Sequence, residues 1–157
     1  MANPTIEIVE VPPTSAVAVF CLSHYFRELA ERFEGGFDPA NSSAPTLDEF
    51  APPHGTFIVV RLDGEPVGCG GFKSISPEAA YIKRMWISRT VRGLGLGRRL
   101  LHELEHRARE VGYRIVRLET QESLTEAQQL YRSSGYTEVP PFNDEPYAHH
   151  WFEKKLS

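Results

Sequence analysis

Residues 88–105 read SRTVRGLGLGRRLLHELE. Gly93, Gly95 and Gly97 alternate with Leu94 and Leu96, and Arg92, Arg98 and Arg99 bracket them. Glycine reaches positive φ at little steric cost and lets a ligand come close to the backbone. Successive N–H groups can then converge into a nest for an anion. A helix starting at this point adds unsatisfied N–H groups and the positive end of its dipole. Guanidinium groups add full charge and forked donors. The chemistry served by this composition is the holding of a phosphate or pyrophosphate. Between Ile82 and Arg117 there are ten Lys/Arg and three Glu, although the whole chain carries a net charge of −4. A positive block this local points to a bound anion. Nucleic-acid binding needs a broader basic face and is not expected.

Common nucleotide motifs do not fit. No lysine follows the glycines, as a P-loop requires. A dinucleotide fingerprint started at Gly93 or Gly95 meets Arg98 or Leu100 where its third glycine belongs. The pattern that does fit is R-x-x-G-x-G, on Arg92, Gly95 and Gly97.

The elements that must position this loop follow from periodicity. TIEIVEV (5–11) alternates like a half-buried strand, and Pro12 and Pro13 end it. Thr14 or Ser15 can cap the helix AVAVFCLSHYFRELAERF, in which Val17, Phe20, Cys21, Leu29 and Phe33 recur at helical spacing. EGGFDPANSSAP is a loop by composition, and a short helix is expected near TLDEFA. TFIVVRL, VGCGGFKSI and AYIKRMWI form an antiparallel meander, with the glycines of the second marking a bulge or a close backbone approach. GRRLLHELEHRAREVG is a helix with Leu100, Leu101, Leu104 and Ala108 buried and Gly112 as its C-terminal cap. YRIVRLET is a strand and LTEAQQLYRSSG a helix. Two strands close the chain around the polar, proline-rich PPFNDEPYA. The expected fold is mixed α/β with one sheet, a single domain over 1–157. Cys21 and Cys69 lack metal-ligand spacing and read as reduced, packed thiols of a cytoplasmic protein. The N-terminus MANPTIEIVEVPP has no signal-peptide pattern, and no run is long enough to span a membrane.

MWISRTVRGLGLGRRLL resembles the acetyl-CoA-binding motif of the GNAT acyltransferase superfamily, and the resemblance continues through YRIVRLET and EAQQLYRSSGY. It implies a mostly antiparallel central sheet flanked by helices and splayed between the fourth and fifth strands. It implies acetyl-CoA as co-substrate and no metal. Met85, Trp86 and Ile87 would pair their backbone with the pantetheine arm, as an added strand does. The backbone of Arg92, Gly93, Leu94, Gly95, Leu96 and Gly97, with Arg98 and Arg99, would bind the pyrophosphate. A strand N–H near Met85 or Trp86 would face the oxyanion. Tyr131 matches the family's general acid for the departing thiolate. Many relatives carry an acidic residue on the strand before the loop, whereas Tyr81 stands there in this chain. Glu119 is then the candidate base, directly or through water. Leu124 replaces an asparagine that many relatives place against the cofactor.

The acceptor side of such a fold is lined by the first helix, its loop and the penultimate loop. Tyr25, Phe33, Phe142, Tyr147 and His150 are its expected contacts. Cys69 reads as packing rather than a nucleophile, and His149 and His150, adjacent on a strand, face opposite sides. The implied activity is transfer of acetyl to the amine of a small molecule, an amino acid or related metabolite. The alternatives are a protein or peptide N-acetyltransferase and a noncatalytic acyl-CoA-binding sensor module. No membrane or nucleic-acid partner is implied, and the resemblance leaves room for a homodimer.

Overall fold

The computed structural model describes residues 3–42 and 47–156. Strands β1 (Ile6–Glu10), β2 (Thr56–Leu62), β3 (Glu65–Ser76), β4 (Ala79–Ile87), β5 (Ile115–Thr120), β6 (Thr137–Val139) and β7 (His150–Lys155) form one sheet. Its order is β1-β2-β3-β4-β5-β7-β6. Every neighbouring pair is antiparallel except β4 and β5, which are parallel. Helix α1 (Ala16–Arg32) covers one face. Helices α2 (Leu96–Val111) and α3 (Thr125–Ser133) cover the other.

Side-chain alternation explains the two cores. In β2, Phe57 and Val59 turn toward α1, and Ile58 and Val60 toward α2. The α2 stripe of Leu96, Leu100, Leu101, Leu104 and Ala108 is fully buried, and each leucine so buried contributes about 1.5–3 kcal/mol. Gly112, at φ 113°, caps α2 by donating to the carbonyls of Ala108 and Arg109. Gly71 is required by packing: a Cβ there would lie 2.6 Å from the Thr56 carbonyl oxygen and 2.9 Å from Phe50 Cδ1.

Two expectations need correction. Ser15 caps α1, accepting from the Ala18 N–H, but Phe20 is 46% exposed. The buried face runs through Ala18, Cys21, Leu22 and Leu29, and Phe20 lies well round the helix from it. The expected helix at TLDEFA begins at Thr46, outside the described residues, and residues 48–51 form a turn and a bend. A single 3-10 turn, Pro39–Asn41, sits instead in the preceding loop, with Asp38 as its cap.

Two irregularities prepare the site. β4 and β5 pair only from Ala79–Ile115 to Tyr81–Arg117, so the sheet opens beyond Tyr81. Within β4 the register against β3 slips between Lys83 and Trp86, and Arg84 takes φ 63°. The extra residue belongs to β4, opposite the glycines that the sequence analysis marked. This bulge swaps the faces of the strand. Before it, Ala80 and Ile82 face the α2 core; after it, Met85 and Ile87 do, and Trp86 turns toward α1.

Candidate active site

The opening between β4 and β5 leads into two adjoining cavities. The larger, about 390 Å³, runs between α1 and α3 along Met85, Trp86 and Ile87 to the glycine loop. The smaller, about 100 Å³, lies between α1, the ends of β4 and β5, and the segment before β7. Tyr25, Leu29, Met85, Leu124, Ala127 and Tyr131 line both. Past Tyr81 the β5-facing edge of β4 has no strand partner among the described residues, and Met85, Trp86 and Ile87 of that stretch line the larger cavity.

The glycine loop is built as its composition requires. Gly93 and Gly95 have φ of 93° and 75°, and Gly95 stands directly before the first turn of α2. Nothing lies within 4 Å of a Cβ placed on either residue, so the dihedral angle is the constraint, not crowding. Gly93, Gly95, Leu96, Gly97, Arg92 and Arg98 line the larger cavity, whereas exposed Leu94 and Arg99 lie outside its lining. The arginines are more committed than their spacing implied. Arg92 donates to the Ile87 carbonyl at 3.1 and 3.2 Å and to Glu28 at 2.5 Å. Arg98 donates to Ser133 at 2.9 Å and to Ser134 at 3.0 Å, tying the loop to the end of α3. Glu28 and Arg32, which the sequence analysis missed, also line this cavity, and Arg32 bonds Glu126 and the Ser123 carbonyl across it. Their signal was available: Tyr25, Glu28, Leu29 and Arg32 share one helical face.

Glu119 is on the α1 face of the sheet and Tyr131 belongs to the α2 core, yet both line the smaller cavity. Residues from opposite faces meet because the strands part here. The Glu119 side chain is 3% exposed. Its Oε1 accepts from the Tyr81 hydroxyl and from Lys83 Nζ at 3.1 Å. Its Oε2 is buried without a hydrogen-bond partner. Burial pushes this carboxyl above its usual range, Lys83 and Tyr81 oppose that, and the Glu145 charge adds to it. Burial also drives the Tyr131 phenol well above its usual value, helped by Tyr25 and the carboxylates of Glu119 and Glu126. Tyr131 therefore holds its proton throughout the neutral range. The Tyr25 phenol is pushed up to about 12 by burial.

Of the five expected acceptor contacts, Tyr25, Phe33 and Tyr147 line the smaller cavity. Phe142 and His150 line neither cavity. Phe142 packs edge-on against Tyr81, 6.0 Å between centroids, with Arg117 beside it. His150 pairs across the sheet with Thr120 and bonds Glu138 at 2.7 Å, which turns it away from Glu119. Phe37, Lys83, Arg84, Thr120 and Glu145 also line the smaller cavity. Cys69 is fully buried beneath the bulge, where its Sγ lies 3.4 Å from the Arg84 carbonyl oxygen, and burial holds its thiol well above the usual value. That is packing chemistry and not a nucleophile's environment. Among the described residues no cluster of three His, Cys, Asp or Glu is placed to hold a metal, and no helix is long and apolar enough to cross a membrane.

Comparison with known proteins agrees with this architecture. Residues 23–136 match the model of the acetyltransferase (GNAT) family. An IAA acetyltransferase of Azospirillum brasilense is 37% identical over 124 residues, covering 77% of this chain and 79% of that protein. An acetyltransferase of the GNAT family from Staphylococcus aureus has the same fold, with TM-score 0.80 at 18% identity over 98% of this chain and all of the other. So does N-acetylglutamate synthase from Neisseria gonorrhoeae, solved with coenzyme A and N-acetyl-glutamate. There the TM-score is 0.72 at 15% identity, covering 99% of this chain and 36% of that one. The chain belongs to the acetyltransferase (GNAT) family, and it is an acyltransferase enzyme.

Proposed function

We propose that this enzyme transfers acetyl from acetyl-CoA to the amine of a small molecule, an amino acid or related metabolite, by direct attack. The observation that carries the reading is the shared cavity wall: Tyr131 lines both the groove and the smaller cavity, into which the open strands also admit Glu119. The groove suits the co-substrate. The unpartnered edge of β4 at Met85 to Ile87 would pair with the pantetheine arm. The N–H groups at the start of α2, with Gly93 to Gly97, would receive the pyrophosphate. Acetyl-CoA supplies an activated thioester. Glu119 Oε2 takes the proton of the attacking amine, a β4 N–H near Met85 or Trp86 faces the developing oxyanion, and Tyr131 gives its proton to the leaving sulfur.

Closure of the acceptor cavity supports a small molecule over a peptide. Tyr147 donates and accepts hydrogen bonds with the backbone of Asp38, at 2.9 Å from its N and 3.4 Å from its O, so the segment before β7 is tied to the loop after α1. Tyr25, Phe33, Phe37 and Tyr147 provide aromatic walls over a charged floor, a lining matched to an amine with an apolar part. One sheet carries every described strand, which supports a single domain over 1–157. Two buried free thiols support a reducing, cytoplasmic setting. The test is acetyl-CoA-dependent thiol release screened over amino acids, polyamines, aminoglycosides and peptides. Turnover with compact amines is expected. Turnover with peptides alone would overturn the acceptor class, and tight CoA binding without any turnover would make the protein a sensor.

A further inference from the structure

The floor of the smaller cavity holds an arrangement that the reaction as described does not use. Lys83 comes from β4 and its side chain is 9% exposed. Its Nζ lies 3.1 Å from Glu119 Oε1, 3.6 Å from Glu145 Oε1 and 3.2 Å from Ser42 Oγ. The ammonium thus donates to Glu119 and Ser42 and lies in ion-pair range of Glu145, three groups from three separate parts of the chain. Glu145 is itself buried, at 4% side-chain exposure, in the segment between β6 and β7. Asn143 of that segment donates to the Tyr81 hydroxyl at 3.1 Å and accepts from Trp151 Nε1 at 2.9 Å. Tyr81 in turn donates to Glu119.

We propose that Lys83 is a positioning residue divided between two carboxylates: it holds Glu119 ionised through Oε1, leaving Oε2 without a hydrogen-bond partner, and Glu145 competes for it. The inference rests on reading Glu119 as the base. An isolated carboxylate buried this deeply protonates rather than remain charged. A base must be ionised before it accepts a proton, so the ammonium beside Oε1 is what makes Oε2 useful. Both donors to Glu119 approach Oε1, so they fix the carboxyl plane without covering the reactive oxygen. Glu145 acts in the opposite sense, through like charge and by drawing on the same ammonium.

Lys83 and Glu145 are the two charged groups that act on Glu119 in opposite senses, and the other groups around the cavity are these. From β4 come Tyr81 and Arg84, from α1 Tyr25 and from α3 Tyr131. The phenols of Tyr25 and Tyr131 are held neutral by burial. On β5 itself Arg117 is engaged by Glu153 at 2.8 Å. Direction of change follows from charge alone. Removing Lys83's charge raises the pH at which Glu119 loses its proton; removing Glu145's charge lowers it.

The experiment is a ¹³C NMR titration of the glutamate side-chain carboxyls in the full chain with CoA bound. The Glu119 signal is identified by its loss in Glu119→Gln. Lys83→Met is expected to move its titration upward by about one pH unit or more, as loss of an opposite charge at this range does. Lys83→Arg, which keeps the charge, is expected to stay near the parent. Glu145→Gln is expected to move it downward, and this near-isosteric change provides a second reading should Lys83→Met fail to fold. Titration at one pH in all the variants overturns the inference, as does equal behaviour of Lys83→Met and Lys83→Arg. The base assignment is judged separately, by turnover of Glu119→Gln, so the two failures are distinguishable.

Discussion

The groove and the acceptor cavity share a wall but are built differently. The groove's anion end comes from one continuous stretch, β4 through the glycine loop into α2. The acceptor cavity takes side chains from α1, the loop after it, β4, β5, α3 and the segment before β7. The first works through backbone N–H groups and needs permissive dihedral angles. The second works through side chains that a bulge, a splayed sheet and a docked loop bring together. Substitutions should therefore separate the two, with affinity for CoA reporting the groove and turnover reporting the cavity.

Glu119→Gln is expected to give the largest effect, lowering turnover by roughly 10²- to 10⁴-fold, the range for loss of a general base. CoA affinity, measured by calorimetry, should stay unchanged. A parallel loss of CoA affinity would merge the two regions and break the comparison. In the parent enzyme the rate should rise with pH through the raised Glu119 value, above the ordinary glutamate range of about 4.3, because acid protonates the base.

Tyr131→Phe is next, with turnover down by roughly 10²-fold while the ring still fills its place. Tyr131 stands in the shared wall, so its CoA affinity is the sharper reading of where the boundary lies. Its phenol is raised, so the parent should show no fall in rate up to about pH 10, where an ordinary tyrosine would already be losing its proton. A descending limb at neutral pH that vanishes in the phenylalanine variant would contradict this.

Gly95→Val tests the groove alone. At φ 75° a β-branched residue is strained by at least the roughly 1–2 kcal/mol of the left-handed region, so the loop must rearrange. CoA affinity should fall about tenfold or more, with circular dichroism unchanged and the acceptor cavity intact. Retention of parent affinity would remove the loop from the site. Smaller still is Tyr147→Phe, which deletes the hydroxyl bonding Asp38, worth about 0.5–1.5 kcal/mol. It should raise the acceptor KM a few-fold with little change in kcat. Smallest is His150→Ala. Its ring is bound to Glu138 outside both cavities, so the acceptor KM should move by less than about twofold, and a large rise would restore it to the acceptor site.

The groove was legible in the sequence because its determinants are local. Alternating glycines followed by two arginines and a leucine stripe specify positive φ at Gly93 and Gly95, a helix start and a buried face within one continuous stretch of chain. The order of strands and helices was legible for the same reason, since each has its own period and punctuation. Phe20 shows the limit of that reading: helical spacing gives a face, but which face is buried depends on how α1 meets the sheet. Phe142 and His150 were expected at the acceptor site from their place in the chain, and the pairing of β7 between β5 and β6 put them elsewhere. Lys83 carried no motif at all, Glu28 only its place on the helical face of Tyr25, Leu29 and Arg32, and Glu145 only its place in the penultimate loop. What only the tertiary structure decided is the meeting of Glu119 with Tyr131 and of Lys83 with two carboxylates. Those contacts depend on the sheet opening beyond Tyr81, as the turn of Trp86 toward α1 depends on the bulge at Arg84. Both are properties of strand pairing, which the period of a single strand does not specify.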